Sequence, residues 1–363
     1  MEIIASAPGK LFLLGEYAVT AGEPAVLCAT DRRLDCQISA RSGSGQIRII
    51  RKGGESYLCP PNLEEVNRAP ESMRFAVAAV QVGCRAAGIA DLDLEIAPAE
   101  TLDRGTPKVG LGGSAAITAA ILAGVAELPG AASIRDQTRR ITLGVQAHRL
   151  AQQGGSGADV AAITTGGLAW VEGIGDAPPP RNISEAARTN LPDLSVAPLE
   201  LPAGLDLRAL ATGRPARSGP RAAHFRHALA GHGPLSEAGA QALRAWNTCM
   251  TEATQDFRKA CLNNNADLAL RALADGGELF ARLPVISGIP VWSPELRRLQ
   301  ARSRAESALS IKPSGAGGGD CAVALIRAPE PPFWQKDTVI NSLGTVALKT
   351  TGNGAVAQQE STR

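Results

Sequence analysis

The chain has 363 residues, and its 37 Lys and Arg against 35 Asp and Glu give a formal net charge of +2. Hydrophobic residues make up 44% of the sequence, which is enough to bury a core and argues against a disordered chain. The small net charge and the scarcity of aromatic residues (3%) argue against a dedicated nucleic-acid-binding protein.

The first half of the chain alternates β-rich segments with Ala-rich helical ones. Apolar runs with β-branched or alternating residues predict strands over Val26 to Ala40, Gln46 to Ile50 and Leu92 to Ile96. Apolar residues at helical spacing predict helices over Ser72 to Ala87, Ala115 to Ala126 and Gln137 to Ala151. The Gly- and Pro-rich segment 173–180 is interpreted as a linker, so we expect one domain over residues 1–180 and another over residues 181–363.

The second half predicts a similar mixture of elements. Strands are expected over Leu205 to Ala211, Ala308 to Lys312 and Cys321 to Ile326. A helical pair is expected over Ala238 to Leu262 and Ala266 to Arg282, and Pro294 begins a further helix at a favourable first-turn position. The last dozen residues are expected to be frayed. The chain is therefore predicted to be of mixed α+β class.

In the N-terminal segment Ala7 to Tyr17 (APGKLFLLGEY), Lys10 and Glu16 flank an apolar, strand-like run. A lone Lys or Glu is usually solvated at the surface. Because Lys10 is followed by four apolar residues, we expect it to be partly buried.

A glycine-rich segment, Pro107 to Ala116, precedes a predicted apolar helix. Glycines allow a ligand to approach the backbone closely, and a helix N-terminus presents free N–H groups to an anion. Ser114 would stand in the first turn, where its hydroxyl could touch a phosphate or a magnesium ion. A tight loop before a buried helix explains the pattern equally well. The Walker pattern G-x-x-x-x-G-K-[ST] is absent.

Two more glycine-rich segments follow. In Gly154 to Ala162, Asp159 follows a glycine turn, and the residues alone favour a structural first-turn carboxylate over one aimed into a cleft. Residues 314–319 include four glycines between two predicted strands. A bare backbone there is needed either for a packed turn or for binding a phosphate, and we favour the second.

The seven cysteines form no C-x-x-C pair, which argues against a zinc site or a disulfide framework. The N-terminus lacks the basic start and apolar run of a signal peptide, and no run of about 18 apolar residues is present. We therefore expect a cytoplasmic protein with reduced thiols and no membrane or nucleic-acid partner. The sequence leaves open whether it is a monomer or a homodimer.

In order and in approximate spacing, three of these segments resemble the motifs of the GHMP kinase family. They are A-P-G-K-x-x-x-x-G-E at Ala7 to Glu16, the glycine segment Pro107 to Ala116, and the glycine stretch Lys312 to Cys321. The likeness is greatest to the phosphomevalonate kinase branch, through S-G-A-G-G-G-D-C at Ser314 to Cys321, A-H-x-x-A-Q at Ala147 to Gln152, and the segment Thr212 to Ser218, in which Arg217 departs from the pattern.

The resemblance implies a two-domain GHMP kinase fold, with an N-terminal ribosomal-protein-S5-like α/β domain and a C-terminal ferredoxin-like α+β domain. It implies ATP and Mg²⁺ as cofactors and mevalonate 5-phosphate as the acceptor. The implied ATP-binding residues are Lys108, Gly110, Leu111, Gly112, Gly113, Ser114 and Ala115, of which Ser114 would also touch the metal.

The resemblance also implies that Lys10 and Asp159 are the catalytic residues. The implied acceptor-binding residues are Lys10, Glu16, Tyr17, Ser156, Gly157, Arg217, Ser314, Gly315, Ala316, Gly317 and Asp320. His148 stands where mevalonate kinases carry a metal-binding Glu. A phosphate monoester has a second pKa of about 6 and is already an oxyanion at neutral pH, so it needs cations more than a general base. Candidate cations are Arg104, Lys108 and Arg217.

Three alternatives remain open from the sequence. A kinase of the same family could act on mevalonate, homoserine, threonine or a sugar. A decarboxylase of the same superfamily would use ATP but release carbon dioxide. A sensor would bind without turnover, although the retention of Lys10 and Asp159 argues against it.

Overall fold

The computed structural model describes residues 1–60, 63–99, 102, 110–173, 177–211, 218–232, 235–305, 309–319, 321–328, 344–347 and 352–359. The strands there are β1 (Glu2–Leu14), β2 (Ala25–Ser42), β3 (Ile47–Ile50), β4 (Ser56–Cys59), β5 (Leu92–Pro98), β6 (Leu168–Glu172), β7 (Ser195–Leu199), β8 (Leu205–Ala211), β9 (Leu309–Pro313), β10 (Cys321–Arg327), β11 (Gly344–Ala347) and β12 (Val356–Gln359).

The helices of the same residues are α1 (Arg74–Ala87), α2 (Gly113–Val125), α3 (Gln137–Gln152), α4 (Ala158–Thr165), α5 (Ile183–Arg188), α6 (Ser218–Leu229), α7 (Glu237–Leu262), α8 (Ala266–Ser287) and α9 (Pro294–Ala305). None of these helices combines the length and the apolarity needed to cross a bilayer. The mixture of helix and sheet agrees with the predicted α+β class.

The first sheet has the order β12-β1-β2-β5-β3-β4, and β6 and β7 extend it from β2. Its pairs are antiparallel except for β3 with β5. Along the second half of β2, buried Leu34, Cys36, Ile38 and Ala40 alternate with more exposed residues. Side chains alternate between the faces of a strand, so this half of β2 has one face in the core.

Helix α2 packs directly on this sheet and is buried along most of its length. A Cβ on Gly124 would lie 2.3 Å from Ile38 Cδ1 and 3.2 Å from Ala5 Cβ, so only glycine allows the helix to come this close to β1 and β2. Helices α1 and α3 pack beside α2. The close approach of α2 to the sheet fixes the position of the helix N-terminus.

The second sheet, in the order β11-β8-β10-β9, is antiparallel, and α8 packs against β9. Helices α7 and α8 pack against each other across the short connection 263–265, and the indole N–H of Trp246 donates to Leu279 O at 2.7 Å. Trp246 also contacts Phe225 and Phe280, whose rings in turn contact Tyr17. These aromatic residues therefore cluster where α6, α7 and α8 meet the segment that follows β1.

The structure confirms the type of each element predicted above, with ends that shift by a few residues. One expectation is wrong: the chain end is not frayed throughout, because β12 pairs with β1. Arg33 holds this segment by donating to Asn353 O at 3.1 Å and Gly354 O at 2.9 Å. The domain boundary at residue 180 stays a prediction. Two strands beyond it in the chain, β7 and β12, join the first sheet. All seven cysteines are free thiols.

Candidate active site

Strand β1 forms one wall of a cavity of about 970 Å³. The Lys10 N–H donates to Leu111 O at 2.9 Å, which ties the strand to the 110–114 loop. Two residues later, Phe12 N–H donates to Ser314 Oγ at 3.0 Å, and that hydroxyl donates back to Phe12 O at 3.0 Å. The strand therefore holds the 110–114 loop and the 314–318 loop at successive positions along one cavity.

The 110–114 loop brings a bare backbone against Lys10. Gly110 and Gly112 have left-handed φ angles of +73° and +77°. The φ of Gly112 favours glycine, and a Cβ there would lie 2.8 Å from Lys10 Cε, so an alanine would displace the Lys10 side chain. Helix α2 begins at Gly113, and Gly113 and Ser114 line the cavity. The first-turn N–H groups and the positive end of the helix dipole can therefore bind an anion here.

Ser114 is paired with a buried histidine. Its Oγ lies 3.1 Å from His148 Nε2, and the imidazole packs on the Phe75 ring with 4.8 Å between ring centroids. Burial lowers the pKa of His148, against the opposing effect of Asp159, and Lys10 lowers it further. His148 Nδ1 is buried and has no hydrogen-bond partner among the described residues. The imidazole is therefore neutral at pH 7.

Asp159 enters the cavity from the first turn of α4. The helix begins after Gly157, whose φ is +71° and where a Cβ would lie 2.5 Å from Val145 Cγ1. Asp159 Oδ1 accepts the N–H of Val160 at 3.0 Å. A carboxylate in a first helical turn is stabilised by the helix dipole. Asp159 is therefore both a first-turn carboxylate and a group that lines a cleft, the two roles between which the residues alone had to choose.

At the other end, the 314–318 loop is fixed to residues just after β1. Lys312 Nζ donates to Glu16 Oε1 at 2.5 Å, and the side chains of both residues are fully buried. The Gly315 N–H donates to the same carboxylate oxygen at 3.3 Å. Glu16, Gly315 and Ser314 all line the cavity. One buried ion pair therefore joins the two segments that form this end.

Tyr17 is held in an unusual backbone conformation beside this loop. Its φ of +63° is unfavourable for a residue with a Cβ. Its hydroxyl donates to Ala316 O at 2.7 Å, and its ring lies 5.3 Å from that of Phe225 and 6.0 Å from that of Phe280. Burial raises the pKa of Tyr17, so the phenol remains protonated. Packing and one hydrogen bond therefore compensate for the strained backbone.

Most of the sequence-predicted site residues meet in this one cavity. Those that line it are Lys10, Glu16, Tyr17, Gly110, Leu111, Gly112, Gly113, Ser114, Ser156, Gly157, Asp159, Ser314, Gly315 and Ala316. Ala115 is fully buried, and Gly317 is not a lining residue but accepts a hydrogen bond from Arg221 through its carbonyl. Arg104, Lys108, Arg217 and Asp320 lie outside the described residues.

The sequence reasoning missed the roles of Lys312 and of α6. A lysine between Ile311 and Pro313 in β9, shortly before a glycine loop, was the available signal for Lys312. Helix α6 brings Ala222 to the cavity, and nothing in its weakly patterned sequence indicated this. Its position depends on the packing of Phe225 between Tyr17 and Trp246.

Two family models match the chain: the GHMP kinases N terminal domain over residues 74–167 and the GHMP kinases C terminal domain over residues 257–336. The phosphomevalonate kinase of Streptomyces sp. strain CL190 is 29% identical over 353 residues, covering 90% of each chain. The mevalonate kinase of Pyrococcus furiosus is 25% identical over 341 residues, covering 90% of this chain and 89% of its own.

A similar solved structure is the Streptococcus pneumoniae phosphomevalonate kinase in complex with phosphomevalonate and AMPPNP. It matches with a TM-score of 0.71 at 18% identity, over 95% of this chain and 98% of that one. At this identity the match establishes the two-domain fold.

Proposed function

The chain belongs to the GHMP kinase family, a family of small-molecule phosphotransferases, and on that basis we propose that it transfers the γ-phosphate of ATP to mevalonate 5-phosphate. The product would be mevalonate 5-diphosphate. The observation that carries the proposal is that Lys10, Asp159 and the N-terminus of α2 line one cavity. The full-length likeness to the Streptomyces phosphomevalonate kinase supports the choice of acceptor.

In this proposal the triphosphate of ATP binds at the 110–114 loop. The free N–H groups at the start of α2 and the glycine backbone would hold its charge, with few side-chain cations. Lys10, whose side chain packs on Gly112, would lie beside the transferred phosphoryl group and stabilise the charge that spreads over its oxygens.

The acceptor would bind between Lys10 and the 314–318 loop. A phosphate monoester with a second pKa of about 6 is mostly dianionic at pH 7, so no base is needed to activate it. Lys10 would offset the repulsion between the two phosphates. Asp159, held by its own first turn, would orient Lys10 and the acceptor without taking a proton.

The oxygen donors at the α2 end fit a magnesium ion that keeps phosphate and water ligands. Ser114 Oγ and the Asp159 carboxylate both line the cavity, and Mg²⁺ prefers such oxygens. His148 stands where mevalonate kinases carry a metal-binding Glu, and its neutral imidazole does not suit Mg²⁺. When bound, the ion would supply charge neutralisation at the β- and γ-phosphates.

An acceptor screen with an ADP-release readout tests the proposal. The purified protein is given Mg²⁺, ATP and, separately, mevalonate 5-phosphate, mevalonate, homoserine, threonine and galactose, and carbon dioxide release is followed in parallel. We expect mevalonate 5-phosphate to give the highest kcat/KM and no carbon dioxide. ADP release no faster than in the absence of an acceptor would refute the assignment.

A second candidate keeps the mechanism and changes the acceptor to mevalonate. The similarity to the Pyrococcus mevalonate kinase favours it, as does the carboxylate of Asp159 in the cavity, since a hydroxyl acceptor benefits from a base. The same screen separates the two candidates, because this one requires mevalonate to give a higher kcat/KM than mevalonate 5-phosphate.

A further inference from the structure

We propose that Arg221, on helix α6, binds the phosphate group of the acceptor and makes the enzyme prefer a phosphorylated acceptor to its unphosphorylated counterpart. The inference rests on the proposed function and adds a residue that no sequence motif indicated. It is carried by the position of the guanidinium, by the partners it has, and by the charge of the cavity wall.

The Arg221 guanidinium lies against the backbone of the 314–318 loop. Its Nη1 donates to Gly317 O and lies 3.5 Å from Ala316 O, the same carbonyl that accepts from the Tyr17 hydroxyl. A Cβ on Gly318 would lie 2.7 Å from both Nη1 and Nη2. Ala316, Tyr17 and Ala222, the residue that follows Arg221, line the cavity. The guanidinium is therefore bonded to the backbone of a loop that lines the cavity, although Arg221 is not itself a lining residue.

Among the described residues, no carboxylate neutralises the charge of Arg221. Its hydrogen-bond partners there are carbonyl oxygens. The half-buried Arg85, in contrast, has Glu64 Oε1 2.6 Å from its Nη1. The positive charge of Arg221 opposes the rise that burial causes in the pKa of Tyr17. A cation held by carbonyls keeps its full charge for an anion.

The wall of the cavity is otherwise poor in cations. Within the described part of the lining, Lys10 is the one Lys or Arg, against the carboxylates of Glu16, Glu71 and Asp159. Lys312 neutralises Glu16 from behind. A phosphate with a charge near −2 needs a further cation to bind in such a site. Arginine suits this role because its planar fork can donate two parallel hydrogen bonds to phosphate oxygens.

The location also fits the acceptor and not the nucleotide. On β1, Lys10 contacts the 110–114 loop. Phe12 on the same strand, and Glu16 and Tyr17 just after it, contact the 314–318 loop or the lysine before it. With the triphosphate at the first of these loops, the acceptor occupies the second end. There its reacting phosphate would lie between Lys10 and Arg221.

Equilibrium binding measured by titration calorimetry tests this role in the full-length protein. The ligands are mevalonate 5-phosphate, mevalonate and AMPPNP with Mg²⁺, and the variants are Arg221→Gln, Arg221→Lys and Arg226→Gln. Arg226 is a matched control, because it stands on the same helix but approaches Gly154, where a Cβ would lie 3.8 Å from its Nη2. Thermal unfolding checks that each variant is folded.

We expect Arg221→Gln to raise the Kd for mevalonate 5-phosphate by about 10- to 100-fold, as for the loss of hydrogen bonds to a charged group. The Kd values for mevalonate and AMPPNP should stay within about twofold, Arg221→Lys should restore part of the loss, and Arg226→Gln should resemble the wild type. A role limited to tethering the 314–318 loop would weaken mevalonate and mevalonate 5-phosphate by the same factor, which overturns the inference.

The outcomes separate the inference from the proposed function. If the wild type binds mevalonate 5-phosphate and Arg221→Gln binds it equally well, only the inference fails. The inference also fails if Arg226→Gln is the variant that loses affinity. If the wild type shows no binding of mevalonate 5-phosphate, the proposed function fails and the inference with it.

Discussion

Lys312 Nζ lies 2.5 Å from Glu16 Oε1, although 296 residues separate the two in the chain. Lys312 also donates to Pro313 O at 2.8 Å, and its ammonium lies 4.6 Å from the centroid of the Phe280 ring. Burial lowers the pKa of Lys312, and the Glu16 carboxylate opposes that effect. The pair joins the segment after β1 to the segment before the 314–318 loop, so it sets the geometry of the proposed acceptor end.

Breaking this ion pair on one side should destabilise the protein strongly. Lys312→Met leaves the Glu16 carboxylate buried without its cation, and we expect a loss of about 3–5 kcal/mol in the free energy of unfolding. Glu16→Gln should cost a similar amount, and the double variant should recover part of it because no unpaired charge remains. Urea unfolding measures all three. A double variant as unstable as the sum of the single ones would contradict this reading.

A surface pair provides the control for that experiment. Arg327 and Asp267 form an ion pair whose side chains remain 42% and 69% exposed. Arg327→Gln should therefore change the free energy of unfolding by less than about 1 kcal/mol. A loss comparable to that of Lys312→Met would mean that burial is not what makes the Glu16–Lys312 pair important.

Gly112→Ala should reduce activity more than its effect on stability explains. An alanine at φ +77° costs about 1–2 kcal/mol, and its Cβ would displace Lys10 Cε, which lies 2.8 Å away. Gly88→Ala is the matched control, since Gly88 has φ +74° but nothing lies within 4 Å of its Cβ position. Urea unfolding and kcat are measured for both. Equal kcat values in the two variants would exclude a specific contact with Lys10.

Lys10→Met should lower kcat/KM for mevalonate 5-phosphate more than Asp159→Asn does. The reason is that a phosphate acceptor needs charge neutralisation and no general base. We expect a loss of about 10²–10³-fold for the lysine variant, as for the removal of a group that stabilises transition-state charge. The aspartate variant should lose less than the roughly 10²–10⁴-fold that a general base contributes. Steady-state kinetics of both variants tests this order. A larger loss for Asp159→Asn would show that the aspartate acts as a general base.

The contribution of Glu64 to stability should depend on pH. Partial burial acts to raise its pKa, but hydrogen bonds from Ser184 and Arg85 outweigh this and lower the pKa from 4.5 to about 2. Because the folded-state pKa is the lower one, the stabilisation is complete above pH 4.5 and is lost as the pH falls toward 2. Glu64 also links two segments, since its carbonyl accepts the N–H of Ile183 at 3.1 Å.

Urea unfolding at pH 7 and at pH 3 tests this dependence. Glu64→Gln should destabilise the protein more at pH 7 than at pH 3. Glu65→Gln serves as the control, because Glu65 pairs with Arg68 at the surface with 64% of its side chain exposed, and its effect should be small at both values. A Glu64→Gln effect that stays constant between them would show that the carboxylate charge is not what stabilises this contact.

The glycine loops illustrate how much of the site was predictable. Gly112 and Gly157 have left-handed backbone angles that favour glycine, and this requirement is local and visible in the sequence. The elements were predictable for a similar reason, because β2 and α7 have strong local patterns of apolar residues. β12 was not, since a short polar strand such as V-A-Q-Q is stabilised by its partner β1.

The sequence by itself determined the class of fold, the three glycine segments and the residue types that could handle phosphate, because each of these depends on neighbours along the chain. Tertiary structure alone decided that Lys312 pairs with Glu16, that His148 contacts Ser114, and that α6 brings Arg221 to the cavity wall. These contacts join residues 34 to 296 positions apart. They follow from how the sheets and helices pack, which no local pattern specifies.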